Sequence, residues 1–199
     1  MQDYIFPYIH SILTVFGILV FLFAVKNRAN QSVLRTLVGV QFFFVVIHTW
    51  EELKFPGGFT EMLQETIGFT LANQNFGELV LAIAIILLFI PALIFPKKGF
   101  LLMIPMLLGL LEVIGHTAEI WMFNRPVPYT PGLATAALLM FPLSVYGIRY
   151  GIKNNLVKPT DFVFSIMSMF AILMISQMIV VESSGMNYLD FLQNIKSTL

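Results

Sequence analysis

Six apolar runs of about 18 residues or more take up most of this chain. A run of that length, coiled as an α-helix, crosses the roughly 30 Å hydrocarbon core of a membrane. Charged residues make up only 11% of the 199 residues, against about 25% in a typical soluble domain. We therefore predict an all-α integral membrane bundle of about six transmembrane helices, forming a single domain over residues 1–199.

Charged, proline and glycine residues between the apolar runs give the helix bounds. The predicted spans are Ile5–Val25, Leu34–Trp50, Phe76–Phe95, Phe100–Phe123, Leu133–Tyr150 and Thr160–Val181. A shorter amphipathic segment, Thr60–Leu71, separates spans two and three, and its length predicts a helix lying in the membrane interface. The tail 186–199 has apolar residues at the spacing of a second short surface helix.

Basic residues are distributed unevenly between the two ends of the spans. Eight lie in or beside the loops that follow spans one, three and five, and three lie on the opposite side. Short loops rich in lysine and arginine stay in the cytoplasm, so both termini are predicted to be non-cytoplasmic. Ten of the eleven acidic residues fall on or toward that same non-cytoplasmic side.

Composition narrows the classes of partner. The formal net charge is zero, which argues against nucleic acid, because such proteins need a basic surface. The chain has no cysteine, so thiolate metal sites and iron–sulfur clusters are excluded. The expected partners are the lipid bilayer and a lipidic or other apolar small molecule.

The second span ends in His48-Thr49-Trp50-Glu51-Glu52. Residues three and four apart share one face of a helix, so His48 is expected to converge with Glu51, Glu52 or both. The fourth span repeats this arrangement with Glu112, His116 and Glu119, at spacings of four and three. Glu78 and His10 lie at a similar depth in spans three and one.

Ionised side chains in hydrocarbon are costly, at roughly 2.5–3.5 kcal/mol each near a helix centre. Protonation of several carboxylates or binding of cations would relieve this cost. Imidazole and carboxylate are ligands that suit iron, zinc and manganese, and a related set builds di-iron sites in four-helix bundles. The predicted ligands are His48, Glu51, Glu52, Glu78, Glu112, His116 and Glu119, with His10 as a further candidate. We assign catalytic roles to Glu52 and Glu112, and Glu112 is either a sixth ligand or the partner that orients His116.

The sequence around His48-Thr49-Trp50-Glu51-Glu52 resembles the HXXEE-motif family of small polytopic membrane proteins. The turn Tyr129-Thr130-Pro131-Gly132 also resembles that family, and the likeness covers roughly Leu34 to Leu138. The resemblance implies functional residues at His48, Glu51 and Glu52 and implies no particular reaction. A weaker likeness, carried by His48 and Glu52, is to the emopamil-binding, sterol-isomerase-like membrane proteins, whose carboxylates move protons without a metal.

Three functional hypotheses follow. The first is a membrane-embedded metalloenzyme with a dinuclear iron or zinc centre near the non-cytoplasmic face, acting on a lipidic substrate by oxidation or hydrolysis. The second is a metal-free isomerase or binding protein for a sterol-like ligand. The third is a proton- or cation-coupled transporter, which is disfavoured because the cytoplasmic half of the spans offers Gln41, Ser144 and Ser168 but no ionisable path.

Overall fold

The computed structural model describes residues 8–55 and 58–198, apart from the side chain of Asn30. Within those residues the protein consists of helices and connecting turns, with no strand. In chain order the helices are α1 (Ile9–Lys26), α2 (Val33–Lys54), α3 (Phe59–Ile67), α4 (Gln74–Ile94), α5 (Gly99–Met122), α6 (Leu133–Lys153), α7 (Pro159–Ser183) and α8 (Tyr188–Lys196).

Six of these helices, α1, α2, α4, α5, α6 and α7, are long and apolar enough to cross a membrane. The chain is therefore a multi-pass integral membrane protein, and the predicted all-α bundle of six spans is confirmed. An even number of crossings places the start of α1 and the end of α7 at the same face of the bundle. That this face is non-cytoplasmic stays a prediction from the basic residues.

The outer faces of the bundle carry large apolar side chains. Leu19 on α1 is 58% exposed and Met167 on α7 is 64% exposed. Hydrocarbon chains of lipid can cover such a surface without the cost that water would impose. The interior contains close-packed residues such as Phe42, Phe89 and Met103, each without exposed surface.

The end of α2 differs from the predicted bound. We expected this helix to end near Trp50, because two glutamates follow, yet it continues to Lys54. The glutamates do not end the helix because their side chains point into the protein instead of into solvent: Glu51 is buried and Glu52 is partly buried. The predicted first residue of span one, Ile5, lies outside the described residues.

Two short amphipathic helices, α3 and α8, lie at the end of the bundle where α2 and α7 have their C-terminal ends. Leu63 of α3 and Phe191 of α8 form a small buried cluster with Phe69, which follows α3, and with Val181 of α7. The rings of Phe69 and Phe191 meet edge to face with centroids 5.2 Å apart. The predicted interfacial helix and the predicted tail helix thus pack on one another.

Helix α6 contains a π-helical turn at Ala136–Met140. A π turn bonds each carbonyl one residue further along than an α-helix does. The buried side-chain amide of Gln41 donates to the Met140 carbonyl at 3.4 Å and to Ser144 Oγ at 3.2 Å. The turn separates the first residues of α6, which reach the polar cluster described next, from the rest of the helix.

Candidate metal centre

Imidazole and carboxylate side chains from two packed helices face one another inside the bundle. His48 and Glu52 lie one turn apart near the end of α2, and Glu112, His116 and Glu119 follow one another along α5. Helices α2 and α5 are in contact, so the two predicted stripes meet. The structure thus brings together the residues that the spacing within each helix had placed on one face.

Four side chains that could bind a metal point toward one position, and we call them the donor cluster: His48, His116, Glu112 and Glu52. The Nε2 atoms of His48 and His116 are 3.4 Å apart. Glu112 Oε2 lies 3.6 Å from each of these nitrogens, and Glu52 Oε2 lies 3.8 Å from His48 Nε2. Ligand atoms of His48, Glu52 and His116 all lie within 4.8 Å of one another, a grouping that could hold a metal ion.

These separations match the size of a coordination sphere. A triangle with sides of 3.4, 3.6 and 3.6 Å, formed by the two Nε2 atoms and Glu112 Oε2, has a circumradius of about 2.0 Å. Zinc binds nitrogen and carboxylate oxygen at about 2.0–2.2 Å. An ion at the centre of this triangle would therefore contact all three atoms without displacement of any side chain.

The outer nitrogen of each imidazole has its own partner. His116 Nδ1 lies 2.9 Å from Glu119 Oε2, and a carboxylate can only accept a hydrogen bond. His48 Nδ1 lies 3.1 Å from the Gly132 carbonyl oxygen, which also only accepts. Both Nδ1 atoms are thus the donors, and in the neutral rings the two Nε2 lone pairs point toward each other. Outer partners of this kind fix metal-binding histidines in known sites.

Gly132 lies against both imidazoles. Its φ of +99° is in the region that only glycine adopts easily. A Cβ atom added at this position would come within 2.6 Å of His116 Nε2 and 2.7 Å of His48 Cε1. The close approach of the backbone to the two rings therefore depends on glycine.

Glu51 faces α6 instead of the two imidazoles. Its carboxylate accepts hydrogen bonds from the backbone N–H groups of Ala134 at 3.0 Å and Thr135 at 2.7 Å. The hydroxyls of Tyr129 and Thr135 donate to it at 2.8 and 2.5 Å. A negative charge supplied to free N–H groups at a helix start is stabilising. Glu51 thus fixes the turn that presents the Gly132 carbonyl to His48.

Tyr129, in the loop before α6, has a raised pKa of about 12. Partial burial is the larger cause, and the hydrogen bond to the Glu51 carboxylate adds to it. The phenol is therefore a stable hydrogen-bond donor to Glu51 at neutral pH.

Glu78 and His10 form a second polar group. Lys54 Nζ makes an ion pair with Glu78 Oε1, and Gln74 Nε2 donates to the same oxygen at 3.3 Å. His10 Nδ1 lies 3.9 Å from Glu78 Oε2, and the His10 ring packs edge to face on Trp50 at 4.6 Å. The negative charge of Glu78 is thus balanced by Lys54, a residue that lies beyond the predicted end of span two at Trp50.

A cavity of about 480 Å³ adjoins the donor cluster. Its polar wall includes Glu52, Glu112, His116 and Glu119, and Glu78 also borders it. The rest of the wall is mostly apolar and comes mainly from α3, α4 and α7, with Phe191 from α8. Its uncharged polar side chains are Thr60, Gln74, Ser176 and Gln177. Cavities of 300–1,000 Å³ with apolar walls and a few grouped polar side chains are typical of small-molecule sites.

Sequence reasoning missed three contributors to this arrangement. Thr135 Oγ1 lies 3.0 Å from His48 Nδ1, Thr130 Oγ1 donates to the His116 carbonyl at 2.9 Å, and Lys54 pairs with Glu78. Thr130 lies before Gly132 in a proline-containing turn between two spans, and Thr135 lies in the first turn of α6. Their closeness to Gly132 in the sequence was the available signal. Lys54 was missed because α2 was predicted to end before it.

The fold and the site together define a polytopic helical membrane protein with a buried histidine–carboxylate cluster. A family model described as "Protein of unknown function with HXXEE motif" matches residues 40–147. That match covers more than half of the chain, so the chain belongs to this family, as the motif indicated. No curated protein gives a significant match. No solved structure does so either.

Proposed function

We propose that this chain is a membrane-embedded metalloenzyme that acts on an apolar or lipidic substrate. The observation that carries the proposal is the pair of imidazoles whose Nε2 atoms lie 3.4 Å apart, each with its Nδ1 held by an acceptor. Two lone pairs and two carboxylates directed at one position repel unless protons or a metal cation bind there. A transition-metal ion satisfies all of these groups together.

The proposed ligands are His48, His116 and Glu112, which form the triangle that fits an ion at about 2.0 Å. Two histidines and one carboxylate are the ligand set of catalytic zinc in several peptidases and of non-haem iron in oxygenases. This geometry supports one ion better than the dinuclear centre expected from the number of ligands. Glu51, Glu78 and Glu119 bind other groups, so fewer carboxylates remain for a second ion.

A bound ion would supply Lewis-acid or redox chemistry at the wall of the apolar cavity. Glu52 lies on that wall and its Oε2 is 3.8 Å from His48 Nε2, so we assign it proton transfer to and from substrate. Glu119 holds His116 in the tautomer that binds metal, and the Gly132 carbonyl does the same for His48. Zinc would favour hydrolysis and iron would favour oxidation.

The metal-free isomerase is the second candidate, and the apolar cavity beside Glu52 is the observation that favours it. Such an enzyme needs a carboxyl group that can exchange a proton with an apolar ligand shielded from water. Glu52 and Glu112 border the cavity and would both meet that need.

Elemental analysis separates the two candidates. Protein purified without chelator or a metal-binding tag is expected to hold about one equivalent of zinc or iron, and His48→Ala/His116→Ala should lose it. His10→Ala is the matched control, since it removes the third histidine, which contacts Glu78. Metal retained in the double variant, or lost equally in the control, would refute the assignment. A parent protein without metal would favour the isomerase.

A further inference from the structure

The wall of the cavity is mostly apolar and carries acidic side chains from α2 and α5. Along α7 the wall extends from Phe170 to Val181, which at 1.5 Å per residue is about 16 Å, and its polar residues there are Ser176 and Gln177. We call the part lined by Glu52, Glu112 and Glu119 the polar end. A cavity of this length and lining suits a molecule with one extended hydrocarbon chain and one small polar group.

The charges at the polar end restrict that polar group. Four glutamates and one histidine border the cavity, and within the part of the chain that the structure describes no lysine or arginine does. Lys54, which does not line the cavity, forms an ion pair with Glu78 and balances its negative charge. One divalent ion would balance Glu52 and Glu112, and Glu119 would remain in contact with His116. An added anion would meet uncompensated negative charge, which raises the free energy of binding in a low-dielectric site.

Gly115 is an independent sign of a ligand at this end. It lies on α5 between Glu112 and Glu119 and borders the cavity. A Cβ atom built on it would meet no other atom within 4 Å. Glycine inside a helix is less favourable than alanine by about 0.5–1 kcal/mol, and the packing of the protein does not require it here. Its absent side chain leaves space beside the donor cluster.

We propose that the cavity binds a single-chain amphiphile whose polar group carries no negative charge. The hydrocarbon chain lies along α7, and the polar group lies over Gly115 within reach of Glu52 and Glu112. This inference deepens the proposed function and rests on it for the chemistry that follows binding. Binding itself depends only on the shape and charge of the cavity.

The test compares three radiolabelled probes with the same chain: dodecanol, dodecyltrimethylammonium and dodecanesulfonate. Each is added in trace amounts to the full chain reconstituted in phosphatidylcholine nanodiscs, with empty nanodiscs as the background. The neutral and cationic probes should be retained above background, and the anionic probe should bind at least about tenfold more weakly. Equal retention of dodecanesulfonate, or background retention of all three probes, would overturn the proposal.

Two variants at one position show where the probes bind. Gly115→Ala should retain less dodecanol than the parent, because its methyl group takes up part of the space in which the polar group lies. Gly115→Leu should bind no dodecanol above background, while circular dichroism and thermal unfolding in detergent confirm that it is folded. Dodecanol binding unchanged in a folded Gly115→Leu protein would contradict the proposal.

The two proposals fail in different ways. Selective binding of dodecanol by a metal-free parent protein would overturn the metalloenzyme and support the amphiphile cavity. Metal bound without selective binding would do the reverse.

Discussion

Replacing Gly132 by alanine places a methyl group where two imidazoles approach the backbone. The new Cβ would lie 2.6 Å from His116 Nε2 and 2.7 Å from His48 Cε1, and relief to ordinary contact requires shifts of about 0.8 Å. Metal sites tolerate departures of only about 0.2 Å in ligand distance. The triangle of donor atoms would therefore open beyond the size that one ion can bridge.

The free energy of unfolding should fall as well. A residue with a side chain at a φ of +99° carries a backbone penalty of about 1–2 kcal/mol, and overpacking adds about 1–3 kcal/mol. We expect Gly132→Ala to lose about 2–5 kcal/mol of stability and to bind metal about 10–100-fold more weakly, as loss of an orienting partner does elsewhere.

Gly115→Ala is the matched control for this prediction. Both glycines border the donor cluster, but the Cβ at position 115 meets no atom within 4 Å. It should keep its metal and gain up to about 1 kcal/mol, because alanine favours the helix. Thermal unfolding in detergent and metal titration of the two variants provide the comparison. Unchanged metal affinity in Gly132→Ala would refute the reasoning from the close approach.

The remaining predictions concern the residues around the centre. Glu51→Gln should lower the free energy of unfolding by about 1–3 kcal/mol, because the new amide nitrogen must face a backbone N–H. Glu52→Gln should keep the stability of the parent and reduce the turnover of a substrate. Equal thermal unfolding of the two variants would contradict their separate roles. The phenol of Tyr129 ionises at about pH 10 when unfolded and at about 12 when folded. Its contribution to stability is therefore complete below pH 10 and declines as the pH rises toward 12, and this decline should be smaller in Tyr129→Phe when unfolding is measured across that range. Lys54→Met should destabilise by about 1–3 kcal/mol, since the buried Glu78 loses its cation. The double variant Lys54→Met/Glu78→Gln should recover part of that loss, and no recovery in thermal unfolding would show that the pair is not coupled.

Spacing along a single helix was sufficient to predict which residues share a face. His48 with Glu52, and Glu112 with His116, needed only the 3.6-residue period. Sequence could not choose between Glu51 and Glu52, because adjacent residues diverge by about 100° around the axis, and His48 is compatible with either. Only the position of α6, which contacts the Glu51 side of α2, decides that Glu51 binds backbone and Glu52 faces the cavity.

Contacts between side chains of different helices could not be predicted from the sequence, for a related reason. The pairing of Glu78 with His10 and Lys54 depends on how α1, α2 and α4 are rotated against one another. All three helices are apolar around most of their circumference, since their outer faces contact lipid, so hydropathy gives little indication of the inward face. Which residues share a face of one helix was predictable from sequence, whereas the rotation of α1, α2 and α4 against one another was not.

The π-helical turn of α6 has a consequence for insertions and deletions. The turn at Ala136–Met140 accommodates one residue more than an α-helical turn does, and the helix on either side keeps its direction. Deleting one residue from it would therefore leave a regular α-helix in which Thr135 still faces His48 and Ser144 still faces Gln41. Inserting one residue between Met140 and Ser144 would instead rotate the first residues of α6 by about 100° relative to Ser144. The membrane topology would be preserved in both cases, but only the insertion would separate the two polar contacts that this helix makes.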